Sequence, residues 1–174
     1  AGVTVAGCTG TNGHDIIELQ TDVMLDRVNN TDFGPTGLPV VLGRITLEGN
    51  NHIIERNSSS PRFRLLAISS TGDLTANEVV LSGGISGDDG GGVSNFGILT
   101  LTNATVTGNS AGLDGGGVYN DGALTLTDCT VSGNSAGFDG GGIYNDGALT
   151  LVNSTLSGNS AILGGGVYNG GIFL

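Results

Sequence analysis

Three stretches of this chain are copies of one another. Gly97 to Asn120 reads GILTLTNATVTGNSAGLDGGGVYN, Gly122 to Asn145 reads GALTLTDCTVSGNSAGFDGGGIYN, and Gly147 to Asn169 reads GALTLVNSTLSGNSAILGGGVYN. The first two are offset by 25 residues at every position, while the third drops one residue ahead of its glycines, so that Asn169 follows Asn145 by 24. Upstream, Gly72 to Asn95 keeps the same register with weaker identity, and Gly43 to Glu48 (GRITLE) opens a further, irregular copy. A unit of this length cannot bury its own apolar face, so the copies must stack on one another.

The local pattern says how. Leu124 and Leu126 alternate with Thr125 and Thr127, the period-2 signature of a strand with one apolar and one hydroxylated face. Each copy carries three such segments, in one copy Leu124 to Thr127, Thr130 to Ser132 and Gly142 to Asn145, punctuated by the turn formers Gly-Asn-Ser and Asn-Asp-Gly. Nothing has helical period. The expected fold is all-β: a parallel β-helix of about six or seven coils, each of about 25 residues and three short strands. Parallel crossovers favour right-handed winding. Leu99, Leu124 and Leu149 should form one interior column, Val106, Val131 and Leu156 a second, and Val93, Val118, Ile143 and Val167 a third. Residues 1–42 are expected to lead into or cap the solenoid and residues 43–174 to form its coils, with regular repeats over 72–169, all in one domain.

Charge narrows the function. The chain has 16 acids against 5 arginines and no lysine, a net charge of -11. That argues against nucleic acid and anionic membrane surfaces. No stretch approaches the roughly 18 apolar residues of a membrane helix. The chain opens at Ala1 without Met or a leader, so a removed signal peptide or an excised piece is expected. Cys8 and Cys129 have no metal-motif spacing. Free thiols are the expected state, because Cys129 takes a repeat position held elsewhere by Ala104 and Ser154.

The pattern LTLTN, TVSGNSA, DGGGIYN resembles the right-handed β-helix repeats of bacterial surface proteins, of the polymorphic outer-membrane and adhesin-like types. The resemblance is closest over residues 72–169, and the DIIEL stretch at Asp15 to Leu19 with GRITLEGN at Gly43 to Asn50 resembles the region preceding such repeats. It implies a secreted or surface-displayed structural module at the cell exterior, with no catalytic residue to carry over.

Several columns are candidates for function. Asn95, Asn120, Asn145 and Asn169, and separately Asn109, Asn134 and Asn159, are placed to hydrogen-bond coil to coil as amide ladders. Asp89, Asp114 and Asp139 would stack as like charges that calcium or solvent must screen, which makes calcium the one cofactor to consider. Thr100, Thr125 and Thr150, with Thr105, Thr130 and Thr155, form outward files that resemble ice-binding solenoids and could also meet a surface glycan. A polysaccharide-cleaving site would need carboxylates beside a base or metal. All five arginines and both histidines precede residue 65, so no enzyme is expected. Arg62 and Arg64 read as partners in solvated salt bridges.

Residues 1–64 hold every arginine and seven acids, net -2, while residues 65–174 hold nine acids and no base, net -9. After Asn169 the sequence starts another copy, Gly170, Gly171, Ile172, Phe173 and Leu174, equivalent to Gly147 to Leu151. An open strand edge there is a template for another chain. The expected partner is a second copy, joined head to tail through these residues and Arg27 and Arg44 into a filament. The function expected from sequence is thus structural or adhesive, with ligand binding on the threonine face as the alternative.

Overall fold

The computed structural model describes residues 13–173. Every element in it is a strand, and every strand pairing is parallel. The strands fall into four sheets that run along one axis. Sheet I has seven rungs: Asp15–Glu18, Arg44–Glu48, Asp73–Asn77, Ile98–Thr102, Ala123–Thr127, Ala148–Val152 and Ile172–Phe173. Sheet II has six: Val23–Leu25, Ile53–Arg56, Val80–Ser82, Thr105–Thr107, Thr130–Ser132 and Thr155–Ser157. Sheet III has three two-residue rungs, Ile85–Ser86, Ser110–Ala111 and Ser135–Ala136. Sheet IV has five: Leu66–Ile68, Val93–Asn95, Val118–Asn120, Ile143–Asn145 and Val167–Asn169. The protein is therefore a parallel β-solenoid of about 25 residues per turn.

Two expectations of coil architecture are corrected. A regular coil has four strands, because Ser135–Ala136 and its equivalents pair between the second and third expected segments. The number of turns is about 5 rather than six or seven, since only sheet I reaches a seventh rung.

Register follows from the repeat. Leu99 sits opposite Leu124 and Leu124 opposite Leu149. Val106 pairs with Val131, and Val131 with Leu156. Val93, Val118, Ile143 and Val167 form the third column. Leu99, Leu101, Val106, Val118 and Leu149 are fully buried, so the core is one continuous apolar column rather than a stack of separate ones. A one-residue slip would turn every leucine outward, which is why the pattern holds the register so firmly.

The shortened third copy is absorbed in a loop. The Phe138 carbonyl accepts both Ile162 N–H at 2.8 Å and Leu163 N–H at 3.1 Å, so the chain loses its residue there and Ile143 still faces Val167. The glycine triplets then close each coil. Gly115 has φ +67, a left-handed conformation that glycine takes without strain. A Cβ on Gly116 would lie 2.4 Å from the carbonyl oxygens of Gly141 and Ser135. Backbone packs on backbone at this corner.

The coils also begin earlier than residue 43. Asp15–Glu18 pairs with Arg44–Glu48 and Val23–Leu25 with Ile53–Arg56, with Ile17, Val23 and Leu25 packed against the core. Their strands are too short, and too interrupted by polar residues, for the alternation to stand out. Arg64 ties the irregular stretch that follows to the coils. It is 3% exposed and donates to the carbonyls of Gly90, Asp89 and Phe33 and to Ser86 Oγ. This replaces the solvated salt bridge expected of Arg64, because a guanidinium has enough donors to satisfy several buried carbonyls at once.

Candidate functional site

The inward ladders come first, since they set the spacing of everything outside. Nδ2 of Asn95 donates to Asn120 Oδ1 at 2.7 Å, Asn120 to Asn145 at 2.6 Å, and Asn145 to Asn169 at 2.7 Å. Asn95, Asn120 and Asn145 are fully buried. The second file joins Asn109 to Asn134 at 3.1 Å and Asn134 to Asn159 at 3.0 Å, and each Oδ1 also accepts the backbone N–H of the asparagine before it. Asn95, Asn109, Asn120, Asn134 and Asn145 are buried and engaged within the stack.

The aspartates of the column bond along it. Asp89 Oδ1 accepts the N–H of Asp114 at 3.1 Å, and Asp114 Oδ1 accepts that of Asp139 at 2.9 Å. The Asp89 and Asp114 carboxylates are thus held by the next coil's backbone. Among the described residues no three His, Cys, Asp or Glu side chains are grouped closely enough to hold a metal ion. Burial pushes the Asp89 carboxyl above its ordinary range, the Asp114 N–H works against that, and the neighbouring Asp114 carboxylate adds to it.

The outward threonines are brought together. Thr46, Thr75, Thr100, Thr125 and Thr150 occupy successive rungs of sheet I, so the file runs on through Thr75 to Thr46 of the irregular copy. Thr105, Thr130 and Thr155 follow one another on sheet II. There Thr107 and Ser132 hydroxyls bond each other at 3.3 Å.

Sequence reasoning passed over an aromatic column. The chain's three tyrosines, Tyr119, Tyr144 and Tyr168, stack with ring centroids 5.2 Å apart and interplanar angles of 2° and 6°. Phe96 continues the column at 6.0 Å from Tyr119, and Phe33 from the irregular stretch closes it at 5.4 Å from Phe96. The signal was present: all three tyrosines share one repeat position. Burial first, then the charges of Asp89 and Asp121, push the Tyr119 phenol up to about 12. Leu113, Phe138, Ile162 and Leu163 form an exposed apolar file at the corner before the glycine triplets.

The cations do not assemble a site. Arg27 pairs with Asp26 at 2.9 Å, and Arg44 with Asp73 at 3.5 Å. Arg44 lies on the outer flank of sheet I's second rung, opposite Asp73 on the third, so it belongs to a side of the solenoid and not to the axial interface expected of it. His52 Nδ1 is 3.1 Å from Asp22 Oδ1, and His14 Nε2 is 2.6 Å from Thr46 Oγ1. Gly170 and Gly171 N–H groups donate to Asn145 O, and Ile172 and Phe173 pair with Ala148 and Leu149 as the last described rung of sheet I, one residue out of the equivalence expected from sequence because Gly171, not Gly170, takes the place of Gly147; they are 62% and 55% exposed. Leu174 and Cys8 lie outside the described residues. Cys129 is a buried free thiol whose Sγ donates to Thr127 O at 3.2 Å; burial pushes its pKa up.

No family model matches the sequence, and no characterised protein or solved structure matches it either.

Proposed function

We propose that this chain is a structural or adhesive solenoid of the cell exterior, of the kind its repeats resemble in bacterial surface proteins, and that its coils stack head to tail between copies. The observation that carries the reading is that a coil's two edges are complementary. From Asp73–Asn77 to Ala148–Val152, four successive rungs of sheet I join by the same parallel register. A second copy can offer the same edge. The last described rung presents Ile172 and Phe173, with Ile162 and Leu163 exposed in the same coil. The interior of the first turn borders a cavity of about 1030 Å³ lined by Ile17, Leu19, Val23, Leu25 and Leu38 among others. Two complementary edges give a heterologous contact, which extends without closing.

The reading assigns no catalysis. Arg56 and Arg64 donate to backbone carbonyls, Arg27 and Arg44 are engaged by aspartates, and Arg62, like the other four, lies before the regular coils that carry the repeated carboxylates, whereas anion-stabilising chemistry needs a cation beside them. A secreted location fits the acidic turns and the resemblance. Electron microscopy of the purified chain at neutral pH tests the assembly: filaments of uniform width are expected, and discrete particles at every concentration would overturn it.

A further inference from the structure

The outer face of sheet I changes character along the axis. Its first three rungs place Glu18, Arg44, Glu48 and Asp73 outward. The next three, Ile98–Thr102, Ala123–Thr127 and Ala148–Val152, contain no charged residue among fifteen positions, although this half of the chain carries nine acids. The acids are displaced to the corners: Asp121 and Asp146 before these strands, Asp128 after one of them. What remains outward is Ile98, Thr100 and Thr102, then Ala123, Thr125 and Thr127, then Ala148, Thr150 and Val152.

This face is a lattice of hydroxyls and methyls. Threonine is stiff at χ1, so its hydroxyl and methyl are held by the strand rather than by a ligand. Rungs repeat at about 4.8 Å, and the second threonine file lies two residues along, about 6.6 Å away. The buried asparagine ladders fix that spacing from inside. Among the described residues no hydrogen bond ties Thr100, Thr125 and Thr150 to one another, unlike Thr107 and Ser132 on sheet II.

We propose that this charge-free face binds the surface of an ice crystal. A neutral face on a strongly acidic protein matches a neutral ligand, and a fixed two-dimensional array of hydroxyls and methyls matches a ligand that is itself a fixed lattice of hydrogen-bond donors and acceptors. Pre-organisation removes most of the ordering cost such a contact carries. A soluble sugar fits worse, because the faces on which it would stack, those of Tyr119 and Tyr144, are covered by neighbouring rings.

The test is thermal hysteresis and crystal habit in a cooled droplet, with Thr125→Lys and Ala123→Lys on the face and Ser135→Lys, exposed on sheet III, as the control. Circular dichroism establishes that each variant is folded. The chain and Ser135→Lys should hold ice growth over a measurable temperature gap and facet the crystal, and both sheet I variants should lose the gap. No gap for the unmodified chain, an unchanged gap in folded Thr125→Lys and Ala123→Lys, or adsorption to crystalline polysaccharide without any effect on ice would each overturn the proposal.

Discussion

Asn120 donates from Nδ2 to Asn145 Oδ1 at 2.6 Å, with both side chains fully buried. Asn120 also donates to the carbonyls of Gly122 at 3.3 Å and Ala148 at 3.1 Å, while its own Oδ1 receives Asn95. One amide therefore clamps three coils. Truncating it strands buried donors and acceptors on both sides. Asn120→Ala should destabilise the fold by about 3 kcal/mol, at the upper end of what leaving buried polar groups unpaired costs. Urea unfolding measures it, and a loss within experimental error would mean that the ladder is incidental to stability.

The corner after four successive sheet I strands takes positive φ: Glu78 at 50°, Asn103 at 51°, Asp128 at 54° and Asn153 at 48°. Asparagine and aspartate tolerate this region, and glutamate does so less well. Glu78 is exposed and its coil is otherwise regular. Glu78→Asn should stabilise the protein by about 1 kcal/mol, read as a raised unfolding midpoint. An unchanged or lowered midpoint would show that the Glu78 backbone carries no strain.

Tyr119 titrates out of step with an ordinary phenol. Its pKa is pushed up to about 12, from 10.0, chiefly by burial and then by Asp89 and Asp121. A pKa raised by folding contributes stability that is fully present below pH 10 and lost as pH climbs through 12. Phenolate absorbance should therefore show delayed ionisation, with unfolding following between those limits, and Tyr119→Phe should remove part of that alkaline loss. Simultaneous ionisation of all three tyrosines near pH 10 in folded protein would contradict the stacked, acid-flanked column.

The sequence made the columns legible wherever identical residues recur at a fixed offset in a strand. Leu99, Leu124 and Leu149 could be placed inside because Thr100, Thr125 and Thr150 alternate with them. Ser135–Ala136 was not legible as a strand, since two residues carry no period. Tyr119, Tyr144 and Tyr168 had the offset but were weighed only as part of a strand, although ring stacking follows once parallel rungs are accepted. Arg64 was misjudged because burial of a guanidinium among carbonyls depends on where Phe33 and Asp89 come to lie, which no local pattern encodes. The aspartates were read as charges alone; that Asp89 accepts the Asp114 N–H depends on backbone orientation at the corner.

Head-to-tail stacking is the claim on which the functional reading rests, and Phe173 is its most direct handle. Phe173 pairs with Leu149 in an inward-facing register yet is 55% exposed. Sedimentation velocity of the chain and of Phe173→Asp, over a range of concentrations, measures association through this rung. The account predicts that the unmodified chain sediments as a growing series of oligomers while the folded Phe173→Asp variant stays monomeric. A monomer at all concentrations for both, or identical oligomers for both, would contradict it.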